Sequence, residues 1–441
     1  MFKSRSPSLC RIPAALWLAL PLIAAPAFGA VRKPAPPKAP AVPVEVELAH
    51  ELGNEQGAQL QKLVDRFNAD NAGAKLVLSQ RDWRKEAALP TLLLLKDESE
   101  ARFLAGAPRF RPLWQVMKEA KQPLDTLKPP AQMSLTTLDG AGHLLGLPVG
   151  LATPVMFYNK DAFRQAGLDA ENPPKTWFDL QGALGKLYAA GYACPYASAS
   201  TRWVHVENTD AWHNEAFANA KGNALTVNGL VNVKHLAMMS SWVKSRYMHV
   251  IGRSNEADAH FASGECPVIT TASSAWPGFV RNAKFAVGVS SLPYHDDIRE
   301  APRNTLAKGP DLWLGAGHKP AEYAVAARFV RFLLEPASQV EVQRNLGFLP
   351  LNKSGVLAVS SELLKDDLAQ NRVAVAQLKN KPVTEASHAT RLAENQNVED
   401  ILDEELEALW ADKKPAKEIL DTAVSRANRS MAPMAVAKGK R

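Results

Sequence analysis

The 441-residue chain is 46% hydrophobic and 22% charged, with a formal net charge of +7. A chain this long exceeds what one core usually holds, so two lobes are expected. A charge this mild gives no argument for nucleic acid as a partner.

The first residues read as a leader. Lys3, Arg5 and Arg11 form a basic start, and Ile12 to Ala25 is an apolar run shorter than the roughly 20 residues of a membrane span. Ala27-Phe28-Gly29 offers small residues where a signal peptidase cuts, so residues 1–29 are expected to leave on export, with cleavage near Gly29. A single N-terminal anchor is the other reading. Loss of the three basic residues leaves a formal charge of +4, much of it in Arg32-Lys33 and in the tail 431–441, which ends Lys438-Gly439-Lys440-Arg441. Residues 30–43 form a proline-rich spacer. After cleavage only Cys194 and Cys266 remain. In an oxidising compartment they are expected to pair; two buried thiols are the alternative.

Val44 to Leu48 alternates as a strand does, and Gln56 to Asn68 follows as a helix with Leu60, Leu63, Val64 and Phe67 on one face. Lys75 to Ser79 and Thr91 to Leu95 are two more strands, the last fully buried. That succession predicts an α/β lobe with a mainly parallel sheet. Leu144 to Asn159 reads as two short strands about Gly150. Helices are expected from Lys160, from Thr176 as cap (Leu180, Leu184 and Leu187 inward), over Trp203 to Ala218, over Val231 to Ser245 and over Glu256 to Phe261. Cys266 to Thr270 is a strand leading into Thr271-Ala272-Ser273-Ser274-Ala275-Trp276 and a helix. Such a join offers free N–H groups and hydroxyls to an anion or polyol, or is simply a serine-capped turn. Strands follow at Lys284 to Ser290 and Asp311 to Gly315, then helices over Ala321 to Leu334 and Ser338 to Asn345. Val398 to Arg426 forms two amphipathic helices broken near Lys413.

No internal repeat, nucleophile elbow, phosphate-binding glycine loop or zinc spacing is found, and the ten histidines look scattered. A lone histidine such as His205 or His213 reads as structural. No catalytic residue, metal or cofactor is expected.

Thr153-Pro154-Val155-Met156-Phe157-Tyr158-Asn159-Lys160-Asp161, followed by Ala166-Gly167-Leu168-Asp169 and Pro173-Pro174-Lys175-Thr176-Trp177, resembles the extracellular solute-binding proteins of ABC importers. Tyr196-Ala197-Ser198, Val206-Glu207-Asn208, Gly264-Glu265-Cys266 and Gly347-Phe348-Leu349-Pro350 are similar to its glycerol-phosphate-binding branch. The resemblance implies an exported, periplasmic protein of two α/β lobes with an interlobe cleft. The lobes would be 44–152 with 304–349, and 153–303 with 350–430. They would close on a small molecule and hand it to permease subunits driven by an ATPase pair.

Carried over, the ligand positions are Trp83 (for a tyrosine), Asp97 (for a glutamate facing glycerol hydroxyls), Ala152 (for a serine), Ser273, Gly309 (an N–H facing phosphate), Phe348 (for a tyrosine) and Arg391. Trp203, with Trp83, would wall the cleft. Ala152 and Phe348 lack hydroxyls that would each contribute roughly 1.5–3 kcal/mol to a phosphate. A glycerophosphodiester, or a neutral sugar or polyol, would need fewer donors than glycerol 3-phosphate. A sensor partner on the same scaffold is a further alternative.

Overall fold

The computed structural model describes residues 42–85, 88–104, 107–122, 124, 137–139, 141–349, 369–387, 392 and 395–431. The expected leader, nearly all of the spacer, the tail beyond Met431 and Arg391 lie outside the described residues.

Among the described residues the strands form two five-stranded sheets. The first has the order β2-β1-β3-β10-β4, from β1 (Val44–His50), β2 (Ala74–Ser79), β3 (Leu92–Leu95), β4 (Leu147–Pro148) and β10 (Asp311–Leu314). β1 runs parallel to β2 and β3, whereas β10 is antiparallel to β3 and β4. The four leucines of β3 are all buried, as a strand flanked on both edges demands. Helices α1 (Asn54–Asp70), α2 (Asp97–Leu104) and α3 (Leu113–Glu119) come from this first stretch of chain. Leu60, Leu63, Val64 and Phe67 of α1 are buried, the face its period marks out.

The second sheet has the order β7-β6-β8-β5-β9, from β5 (Pro154–Asn159), β6 (Tyr196–Ser198), β7 (Met248–Val250), β8 (Val268–Ala272) and β9 (Val287–Ser291). Its helices are α4 (Lys160–Gln165), α5 (Trp177–Ala189), α6 (Asn208–His213), α7 (Leu230–Lys244), α8 (Ala257–Ala262) and α9 (Trp276–Asn282). Thr176 caps α5 by accepting from the Asp179 N–H, and Asn159 caps α4. Then α10 (Pro320–Leu333) returns to the first sheet, where Phe329 and Phe332 meet Phe67 edge-on at 5.2 and 5.5 Å, and α11 (Pro336–Glu341) follows. Helices Asn395–Trp410 and Ala416–Met431 bury Leu402, Leu406, Ile419 and Leu420 against Val206 and Leu236.

Three segments cross between the sheets and bond to one another. Leu151 pairs with Leu349 and Ala152 with Lys308, both antiparallel. The Thr153 hydroxyl donates to Leu306 O at 2.9 Å and sits 2.6 Å from the Thr305 hydroxyl.

Two local expectations shift. The helix expected over 203–218 opens with a π-helical turn, Trp203–Glu207, and ends at His213, where Asn214 turns left-handed (φ 63°). The strand expected to end at Thr270 runs to Ala272.

Four histidines far apart in sequence meet in the second core. His205 Nδ1 lies 2.9 Å from His235 Nε2, and His235 Nδ1 lies 3.1 Å from His295 Nε2. The His295 backbone N–H donates to His213 Nε2 at 2.8 Å, so the His213 proton sits on Nδ1, which donates to Thr209 O. One proton per ring satisfies the row, and a second on His213 would set its Nε2 proton against the His295 N–H. Burial therefore holds His205 at about 3 and His213 and His295 at about 4, and His235 well below its ordinary range. These values lie under the unfolded 6.5, so the unfolded chain takes up more protons and stability falls as pH drops from about 6.5 towards 4. Asp210, pushed up by burial, takes a proton over part of the same descent and offsets some of the loss. Urea unfolding at stepped pH should show His295→Gln with a flatter acid limb than the parent; equal slopes would refute the cluster's part in it.

Candidate functional site

A cavity of about 600 Å³ lies between the two sheets, at the crossing segments. The first sheet's side contributes Leu52, Gly53 and Gln56 at the entry of α1, Lys96 at the end of β3, and Leu346 and Phe348. The second sheet's side contributes Ser200, Trp203, Asp258 on α8, Thr271 and Ala272 at the end of β8, and Ser274. Strand ends and helix starts converge here, because in α/β sheets the loops at strand ends leave backbone and side chains open.

The two sides touch at either flank of the cavity. Arg281 Nε donates to Glu55 Oε1 at 2.5 Å and Asn282 to Glu55 Oε2 at 3.1 Å, while α2 packs near helix Asn395–Trp410.

The cavity's charges are nearly all committed. Arg202 is half-ringed by carboxylates: Glu207, Glu399 at 3.1 Å and Asp403 at 3.2 Å. Lys308 Nζ reaches Glu207 at 3.1 Å and stands 6.0 Å from the centre of the Trp203 ring. Burial raises the Asp403 carboxyl even beside Arg202. With two cations against three carboxylates, this patch repels an anion rather than seating it. Arg253 is held by Glu407 at 2.5 Å, which raises the guanidinium further. Lys96 is different: no described carboxylate comes within ion-pair distance of it.

The expected ligand residues divide. Trp203, Gly309 and Phe348 line the cavity. Trp83 does not: it is 2% exposed and stands edge-on to Phe103 at 5.5 Å in an aromatic cluster with Trp313, so it is core. Ser273 is fully buried, and its hydroxyl accepts from the Thr153 N–H at 3.3 Å. The next serine, Ser274, in the same 3-10 turn after β8, is the one at the cavity. Ala152 is buried in the crossing, bonded through its backbone to Lys308. Asp97 is the first residue of α2; its side chain, like Arg391, lies outside the described residues. Lys96 and Asp258 were missed, since no pattern marks a residue that only the opposing sheet turns into a wall; Ser274 lies in the serine stretch whose hydroxyls were expected to suit an anion or polyol.

Two α/β halves facing each other across a walled cavity and joined by three crossing segments define a hinged ligand-capturing protein. The chain belongs to the bacterial extracellular solute-binding protein family, whose profile matches residues 62–371. This is a family of binding proteins of ABC importers, not of enzymes. The chain is 32% identical over 400 residues to the sn-glycerol-3-phosphate-binding periplasmic protein UgpB of Yersinia enterocolitica, covering 87% of this chain and 91% of that one. It is 33% identical over 397 residues to UgpB of Escherichia coli, covering 86% and 90%. Among solved structures, UgpB from Mycobacterium tuberculosis in complex with glycerophosphocholine superposes with a TM-score of 0.69 at 17% identity, over 89% of this chain and 98% of that one. Maltose-bound MalE3 of T. maritima gives 0.69 at 17%, over 88% and 100%. The Cys194–Cys266 disulfide is formed.

Proposed function

We propose that the protein is the periplasmic binding component of an ABC importer, capturing sn-glycerol 3-phosphate or a glycerophosphodiester between its halves and delivering it to permease subunits driven by an ATPase pair. Export with cleavage near Gly29 belongs to the same reading. The observation that carries it is the asymmetry of charge in the cavity. Arg202 and Lys308 are neutralised, whereas Lys96 has no described carboxylate partner. Beside it the first turn of α1 has no side-chain cap at Gly53, so its N–H groups remain free for an anion. Trp203 walls the opposite side. Arg391 would add a second cation.

The apolar Phe348 on the cavity wall favours a ligand needing fewer donors, so a phosphodiester is preferred over a monoester and a neutral sugar or polyol is the second reading. A sensor role on the same scaffold is the third. Isothermal titration of the purified mature chain with sn-glycerol 3-phosphate, glycerophosphocholine and maltose tests this. Heat with a phosphate ester, lost in Lys96→Ala, is the expected result; heat with maltose alone would overturn the ligand assignment and leave the fold standing.

A further inference from the structure

Asp258 is a carboxyl on the cavity wall whose hydrogen bonding is incomplete. It sits in the first turn of α8, in the half formed around the second sheet. Its Oδ1 is shielded from solvent and has no hydrogen-bond partner. The Thr271 hydroxyl stands beside the carboxyl, and Lys96 faces it from the other side of the cavity without forming an ion pair. A buried oxygen without a donor is costly, and native proteins retain few of them. Asp258 lines the cavity, so a ligand seated there would stand beside the carboxyl.

We infer that Asp258 is a specificity-determining residue that reads a hydroxyl of the ligand. The inference rests on the polyol-phosphate reading above. Lys96 and Asp258 face each other from opposite halves, so one molecule carrying an anion at one end and hydroxyls at the other satisfies both, and does so only when the halves are together. A neutral hydrophobic ligand would leave both unsatisfied. Burial pushes the Asp258 carboxyl up to about 7, against the pull of Lys96 and with Glu256 adding to the rise. Near neutral pH the group can accept from a hydroxyl or donate to one, which suits an alcohol better than an amine or a second anion.

The test is a double-mutant cycle in which one partner is the ligand. Isothermal titration compares the parent and Asp258→Ala with sn-glycerol 3-phosphate and with the two propanediol phosphates, each of which lacks one hydroxyl. Asp258→Ala should weaken glycerol 3-phosphate binding about ten- to hundred-fold. One of the propanediol phosphates should bind parent and variant alike, because the hydroxyl it lacks is the one Asp258 reads. Unchanged affinity for glycerol 3-phosphate, or equal weakening for all three ligands, would overturn the proposal while leaving the ligand class intact. A parent that binds neither these three nor glycerophosphocholine would overturn the ligand class and this proposal together. Asp258→Asn keeps the side-chain shape; should the alanine variant fail to fold, the same hydroxyl-selective loss is expected of it, and its absence counts equally against the role.

Discussion

Replacing Cys194 and Cys266 together by alanine is expected to lower the unfolding free energy by about 4 kcal/mol, the chain-entropy value for a loop of this size. The bond closes a span of 72 residues that holds β7, α6, α7, α8 and the Trp203 turn. Both sulfurs are buried, at 1% and 0% exposure. Cys194 stands two residues before Tyr196 and Cys266 two before Val268, and Tyr196 pairs with Val268 in the parallel register of β6 and β8. The bond therefore pins the starting ends of two neighbouring strands, and the far end of β8 carries Thr271 and Ala272 to the cavity. Parallel strands are joined by long connections, so closing them is where the unfolded chain loses most entropy. Urea unfolding of the double variant under oxidising conditions checks the figure. A loss below about 1 kcal/mol would mean that the register holds β6 and β8 together unaided. Adding a reductant to the native parent is the weaker test, because buried sulfurs are reached only after opening.

Sequence patterns fared best where one element is enough to decide the outcome. The buried face of α1, the Thr176 cap and the all-leucine β3 follow from period, capping chemistry and burial, none of which needs a partner to be known. The cysteine pair was expected from an oxidising compartment and the loss of Cys10 with the leader, with two buried thiols as the alternative, and the bond is formed. Residues whose role depends on an opposing surface were not legible. Trp83 and Trp203 are both tryptophans in α/β chain, yet one meets Phe103 and Trp313 and the other the cavity. Ser273 and Ser274 are neighbours in one 3-10 turn after β8, yet the first is buried against the Thr153 N–H and the second lines the cavity. His205, His213, His235 and His295 look scattered because three separate stretches carry them; the helical run 203–213, α7 and the segment after β9 bring them together.

Gly309→Ala should be the most damaging substitution of a single atom at the cavity. A Cβ built there falls 1.8 Å from the Gly150 carbonyl oxygen, and that obstacle is backbone, which cannot rotate away. Nor can the segments slide apart freely. Val149 N–H donates to Pro310 O at 3.0 Å, and Ala152 and Lys308 exchange bonds of 2.7 and 2.9 Å, so Gly309 is fixed from both sides. Overpacking a well-filled site costs about 1–3 kcal/mol, and the upper end or more applies where main-chain bonds must break to make room. The same bonds join the two halves, so displaced crossing segments also misalign the walls. A ligand gripped by both walls should bind at least about tenfold more weakly, since each 1.4 kcal/mol lost is a factor of ten. Gly278→Ala is the control. Gly278 also lines the cavity, but its added Cβ would meet only the end of the Glu55 side chain, at 3.3 Å, and it lies in helix α9, where alanine is favoured over glycine by about 1 kcal/mol. Thermal unfolding and titration of both variants should separate them, with the 278 change near neutral and the 309 change costly in both measurements. If the two behave alike, the crossing is softer than its hydrogen bonds imply and closure does not depend on its close fit.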